Sequence, residues 1–244
     1  MPRRSRGPAP GSPRPRANAK GVRPAPSDPD TPMRAPPPSA PGWLRGWERE
    51  LVLELNTDLI DAMLKFEQLT RPGGVRVPRR DVLEQLRALN DVQRKRLAEI
   101  PVVLVDAGFH ESLRWWHHGW GHSKETHVED CMWVDIVDLH SLARKLFTFS
   151  WHLTKAHPEA AGIILGMTPT TRWLIGSYGL SGLERLILKR SNWVRPRWEL
   201  RWERWQELIA LARDEKSAIL HQRALQFLYG DIAFEAGSLF DPAK

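Results

Sequence analysis

The chain has 244 residues, 41% hydrophobic and 27% charged, with a formal net charge of +7, which allows one or two domains and a sizeable core. A single cysteine, Cys131, excludes an intramolecular disulfide and any CxxC metal or redox motif, and suits a reducing cytoplasm. No run approaches the ~18 apolar residues of a membrane span, and the basic amino terminus lacks the apolar core of a secretory signal.

The charge is unevenly placed. Arg3, Arg4, Arg6, Arg14, Arg16, Lys20, Arg23 and Arg34 face only Asp28 and Asp30, so six of the seven formal charges precede residue 43. Thirteen prolines share that stretch and prevent an amphipathic helix. With so little apolar surface to bury, residues 1–42 read as a disordered basic Pro-rich tail. The body carries a charge near +1, and any nucleic-acid surface on it must be a local patch.

Order is expected from Trp43. Trp47, Leu51, Leu55, Leu59, Met63 and Phe66 recur at helical spacing, with Asn56-Thr57-Asp58 as a point where two shorter helices could meet. The sequence Arg71-Pro72-Gly73-Gly74 makes a turn, and Val82, Leu83, Leu86 and Leu89 mark the next helix. Asn90 could cap a third, from Asp91 to Glu99. Val102-Val103-Leu104-Val105 has the length of a buried strand, but no second strand-like segment offers to pair with it, so a helical turn opening on Pro101 is favoured. The stretch 108–131 shows no period and reads as mostly irregular. Helical periodicity returns from Met132 to Lys155, through Val134, Val137, Leu142, Leu146, Phe149 and Leu153.

Pro158 starts a short helix that ends at Gly166. Thr168-Pro169 gives an N-cap and a first-turn proline for Thr170 to Ser177. Ser181 with Glu184 matches a capping box before Leu183, Leu186 and Ile187. Two more helices are expected, over Glu199–Arg213 and Lys216–Tyr229. Short helices with such brief joins cross steeply, as in helix-turn-helix folds. The fold class is all-α: a multi-helix body with a helix-turn-helix-like array behind the tail. Its parts are an N-terminal helical region over 43–130, a helical domain over 131–230 and a C-terminal tail over 231–244.

The order of features from Asp138 to Glu199 resembles the bacterial flagellar transcriptional regulator FlhD family. It comprises the helix Leu139-His140-Ser141-Leu142-Ala143-Arg144-Lys145-Leu146 and then Ala160-Ala161 leading into Leu165-Gly166-Met167-Thr168. Helices around Trp173-Leu174-Ile175 and Leu183-Glu184-Arg185-Leu186-Ile187 follow, then Arg195-Pro196-Arg197-Trp198. The resemblance implies a small helical dimer that activates transcription with a second subunit on promoter DNA. The chain departs from the family in its long tail and its extra ordered residues before the domain.

Two constellations could carry function. Arg185, Lys189, Arg190, Arg195, Arg197, Arg201 and Arg204 face only Glu199 and Glu203, among Trp193, Trp198, Trp202 and Trp205. Guanidinium groups neutralise phosphates and indoles offer stacking faces, so Lys189, Arg190, Arg195, Arg197, Trp198, Arg201 and Arg204 are the candidate nucleic-acid residues. The competing reading places Trp198, Trp202 and Trp205, spaced four and three apart, on one helix face as core or partner contacts. The second constellation is His110, Glu111, His117, His118, His122, His127, Glu129, Asp130 and Cys131. Pairs four apart could ligate zinc, but Gly119 and Gly121 argue against a helix there, and no metal or cofactor is expected.

Templates for phosphate loops, dinucleotide loops, nucleophile elbows and HExxH zinc sites are all missing. The expectation is a non-enzymatic cytoplasmic regulator with a protein partner or homodimer, DNA as a further contact, no membrane and no small-molecule substrate. The alternatives are a protein-interaction adaptor without DNA and a metal-binding protein built on 110–131.

Overall fold

Leu55, Leu59 and Met63 recur every fourth residue with no exposed surface, and this stripe is why Trp47–Lys65 forms one helix, α1. The structure, a computed structural model, describes residues 46–65, 79–119, 136–215 and 217–239. Asn56 does not break α1. Its amide turns inward, donates to the carbonyls of Ala98 and Val102 at 3.0 Å and accepts from the Leu104 N–H at 2.7 Å. A residue type that favours caps here satisfies the backbone of a neighbouring segment instead.

The short helix α2 (Arg80–Arg87) is followed by α3 (Asp91–Ala98). Asn90 and Gln93 cap α3 reciprocally, as their spacing allows. Next come β1 (Val105–Asp106), α4 (Ser112–Gly119) and the central α5 (Ile136–Ala156). Then α6 (Pro158–Leu165), α7 (Pro169–Ser177) and α8 (Leu180–Arg190) follow with brief joins. A 3-10 turn (Ser191–Trp193) leads to β2 (Arg195–Pro196), α9 (Trp202–Arg213) and α10 (Ser217–Leu239). Among the described residues, ten helices and one two-stranded ribbon make the body all-α, as expected.

Five local expectations are corrected. The run 102–105 is not helical: it bends into a short strand, where Val105 and Asp106 pair antiparallel with Pro196 and Arg195. The partner strand lies about ninety residues away and is only two residues long, so it has no period to betray it. The stretch after Gly108 contains a regular helix, α4. Helix α8 begins at Leu180 with Gly179 as N-cap, so Ser181 and Glu184 form no box. Trp198 precedes α9 in a turn with φ +62, so it does not share a helix face with Trp202 and Trp205. Helix α10 runs on to Leu239, into the stretch expected to be a tail. His122, His127, Glu129, Asp130, Cys131 and the tail 1–42 lie outside the described residues.

Helix α5 packs against α1, α6, α7 and α8, and α9 packs against α2, α3 and α10. One apolar core takes in Leu83 and Leu97 together with Leu146, Ile187 and Trp205, on both sides of the boundary expected at 130. Beside α5, Phe109 stacks on Trp115 at 5.6 Å, and Trp115 meets Phe147 and Trp193 edge-on. Gly166 ends α6 at φ +69, and a Cβ there would lie 2.7 Å from Leu228 Cδ1. Only glycine permits both that turn and the approach of α10. No helix among the described residues is long and apolar enough to cross a membrane.

Candidate functional site

The non-helical backbone of 103–105 and the end of α6 leave carbonyls without helical partners. Arg197, only 4% exposed, supplies the missing donors. Its Nε donates to Val103 O at 2.7 Å, and its Nη2 donates to Leu165 O at 2.9 Å and Val105 O at 3.4 Å. Its own N–H donates to Leu104 O at 2.6 Å, and its carbonyl accepts the Trp205 indole N–H at 2.6 Å. Arg197 therefore ties the ribbon to α6 and α9.

Asp106 balances it. Oδ1 lies 3.6 Å from Arg197 Nη2, and Oδ2 lies 3.9 Å from both Arg195 Nε and His110 Nδ1. Burial pushes the Asp106 carboxyl up, but Arg197, His110 and Arg195, with the Gly108 N–H, pull it down to about 2. Burial likewise lowers the Arg197 pKa against the pull of Asp106, though a guanidinium stays protonated. Arg195 bridges Glu111 and Glu199, the latter at 3.2 Å. Burial would lower its pKa, and Asp106, Glu111 and Glu199 outweigh that, raising it.

A second ion-pair group gathers on Asp231 of α10. Its carboxylate accepts from the Trp198 indole at 2.7 Å, Arg201 Nη1 at 2.8 Å and Arg204 Nη1 at 2.8 Å. Arg204 also donates to Phe227 O. These bonds hold Trp198 in its left-handed backbone, which only an over-determined surrounding sustains. Between the two groups lies a cleft of about 230 Å3, rimmed also by His110, Glu199 and Leu200.

The seven residues expected to touch nucleic acid therefore form no solvent-facing cationic strip. Arg195, Arg197, Trp198 and Arg204 turn to carboxylates and carbonyls inside the body. Arg201 reaches the surface while bonded to Asp231. Arg190 lies 4.7 Å over the Trp193 ring, and Lys189 is exposed on α8. The sequence reading missed the acidic half of the site, Asp106 and Asp231. Asp106 was visible as a carboxylate closing the apolar run 102–105, and Asp231 as one of two acids, with Glu235, on a mostly apolar helix.

In contrast, α7 and α8 each expose apolar side chains outward. Trp173 is 57% exposed and stacks at 6.4 Å on Trp116 of α4, while Leu180 and Leu188 are exposed two turns apart on α8. The lone charge of α7, Arg172, is tied to Pro158 O and Glu159, each at 3.0 Å. Of the histidine-rich constellation, His110 and Glu111 enter the Asp106–Arg195 group. Among the described residues no three His, Cys, Asp or Glu side chains come together as a metal site. The arrangement leaves an ion-paired cleft beside β2 and exposed apolar side chains on α7 and α8. No family model, curated protein or solved structure matches the chain.

Proposed function

We propose that this chain is a transcription-regulator-like helical adaptor of the cytoplasm, acting without catalysis by binding a protein partner through the outer face of α7 and α8. The observation that carries the reading is the exposure of Trp173, Leu180 and Leu188 on that face. Large apolar side chains displayed together mark interaction surfaces, and a central indole is a frequent anchor. On α8, Glu184 lies between the two leucines and Arg185 and Lys189 beside them, so the partner segment carries apolar side chains among groups of both charges. The regulatory part of the reading rests on the order of α5, α6, α7, α8 and β2, which follows the resemblance to the FlhD family. DNA contact, in this reading, falls to Lys189 and the basic tail, whose charges attract phosphates without regard to sequence.

Transcript profiles test it. Cells lacking the protein and cells carrying Trp173→Ser should show the same altered transcripts, and cells carrying Arg80→Gln, an exposed position outside the cleft and the outer face, should match the unaltered strain. Unchanged transcripts on deletion remove the regulatory reading. A Trp173→Ser strain that behaves as unaltered removes the outer face as its partner surface.

A further inference from the structure

Most of the residues lining the cleft between the Arg195 and Asp231 groups are charged, with Trp198 and Leu200 beside them, so its wall is polar and apolar in about equal measure. Its volume of about 230 Å3 is below the ~300–1,000 Å3 of sites for drug-sized ligands. It matches the liquid volume of roughly seven or eight waters at about 30 Å3 each, room for a molecule the size of a free amino acid.

The lining charges are paired but not saturated. Arg201, 44% exposed, commits one nitrogen to Asp231 out of a guanidinium with five N–H donors. Glu111 accepts from Arg195 and from Arg114, while an ionised carboxylate has about four acceptor sites. Arg197 lies between the two groups and feels both Asp106 and Asp231. Because the opposite charges nearly cancel, a ligand with net charge would leave one of them uncompensated once water is excluded. A ligand bearing both charges meets each with its complement and keeps the balance. Trp198, held at φ +62 on the wall by Asp231, has the strained backbone that recurs at ligand clamps.

We infer that this cleft binds a small zwitterion of the α-amino-acid class, its carboxylate on Arg201 and its ammonium on Glu111. The ligand is bound and not transformed, and the inference stands apart from the partner surface on α7 and α8. Thermal unfolding of the full chain, followed by tryptophan fluorescence, tests it with three additives: the mixed proteinogenic L-amino acids, the same mixture N-acetylated, and the mixture as methyl esters. The free mixture should raise the midpoint by about 5–10 °C when the bound species is at a hundredfold excess over its Kd, and neither derivative should. Arg201→Gln and Glu111→Gln should each abolish the rise while still melting cooperatively. No rise with the free mixture, or an equal rise with either derivative, overturns the inference. Equilibrium dialysis of the unaltered chain against labelled amino acids gives a check that needs no variant: saturable binding of one molecule per chain is expected, and none contradicts it.

Discussion

The ribbon end of the body and the outer face of α7 and α8 invert the usual arrangement. At the ribbon, Arg197 and Asp106 are buried and bonded. On the outer face, Trp173 and Leu188 stand in solvent. The inverted pattern separates two jobs. Charge at the ribbon completes backbone hydrogen bonds that the two-residue strands and the end of α6 leave open. Apolar surface on the outer face completes no backbone hydrogen bonds, and in the proposed function it is the surface that meets a partner.

Mutations at the ribbon should therefore act on stability, and mutations on the outer face on association. The largest effect is expected from Arg197→Met, which strips donors from Val103 and Leu165 and leaves Asp106 buried beside one cation fewer. A loss of about 3–5 kcal/mol is expected in urea titration, as when one partner of a buried pair is removed. Gly166→Ala should follow at roughly 2–3 kcal/mol, because it combines a left-handed backbone with a Cβ pressed on Leu228 and Arg197. Asp231→Ala should cost about 1–3 kcal/mol by releasing the Trp198 indole and two guanidinium groups. Trp173→Ser should cost about 0.5–1.5 kcal/mol through its stack on Trp116, and Leu188→Ser, at an exposed side chain, should stay within about 0.5 kcal/mol in the same titration.

The ribbon also predicts a pH dependence. The Asp106 carboxyl sits at about 2 when folded against an ordinary 3.8. Between those values the unfolded chain binds more protons, so stability falls as pH falls. The contribution is complete above about pH 4, drains toward pH 2, and amounts to about 2 kcal/mol. Chemical denaturation across that window checks it, and Asp106→Asn should flatten the slope. An unaltered slope in that variant would assign the acid limb to other carboxylates.

Much of the fold was legible because helices announce themselves locally. The stripe in α1, the Asn90 cap, Thr168-Pro169 and the Gly166 stop all read correctly. The ribbon was not legible, because its strands are two residues long and meet across about ninety residues. The arginine segment misled for a related reason. Sequence counts charges near one another along the chain, but Arg195 and Arg204 find their carboxylates on Glu111 and on Asp231 of α10. Pairing across the fold has no period and no spacing to read. The outer face was readable only as an ambiguity, since a tryptophan at position 173 suits core and surface alike.

The central claim is that these arginines are held by the body and do not grip phosphates. Its most direct test is the salt dependence of double-stranded DNA binding by the full chain, unaltered and with Arg201→Gln and Arg204→Gln together. Each phosphate contact contributes about 0.9 to the slope of log K against log salt. The account predicts the same slope for both proteins, set by the tail and Lys189. A slope shallower by about 1.8 in the double variant would show both guanidinium groups on the phosphates and contradict the account.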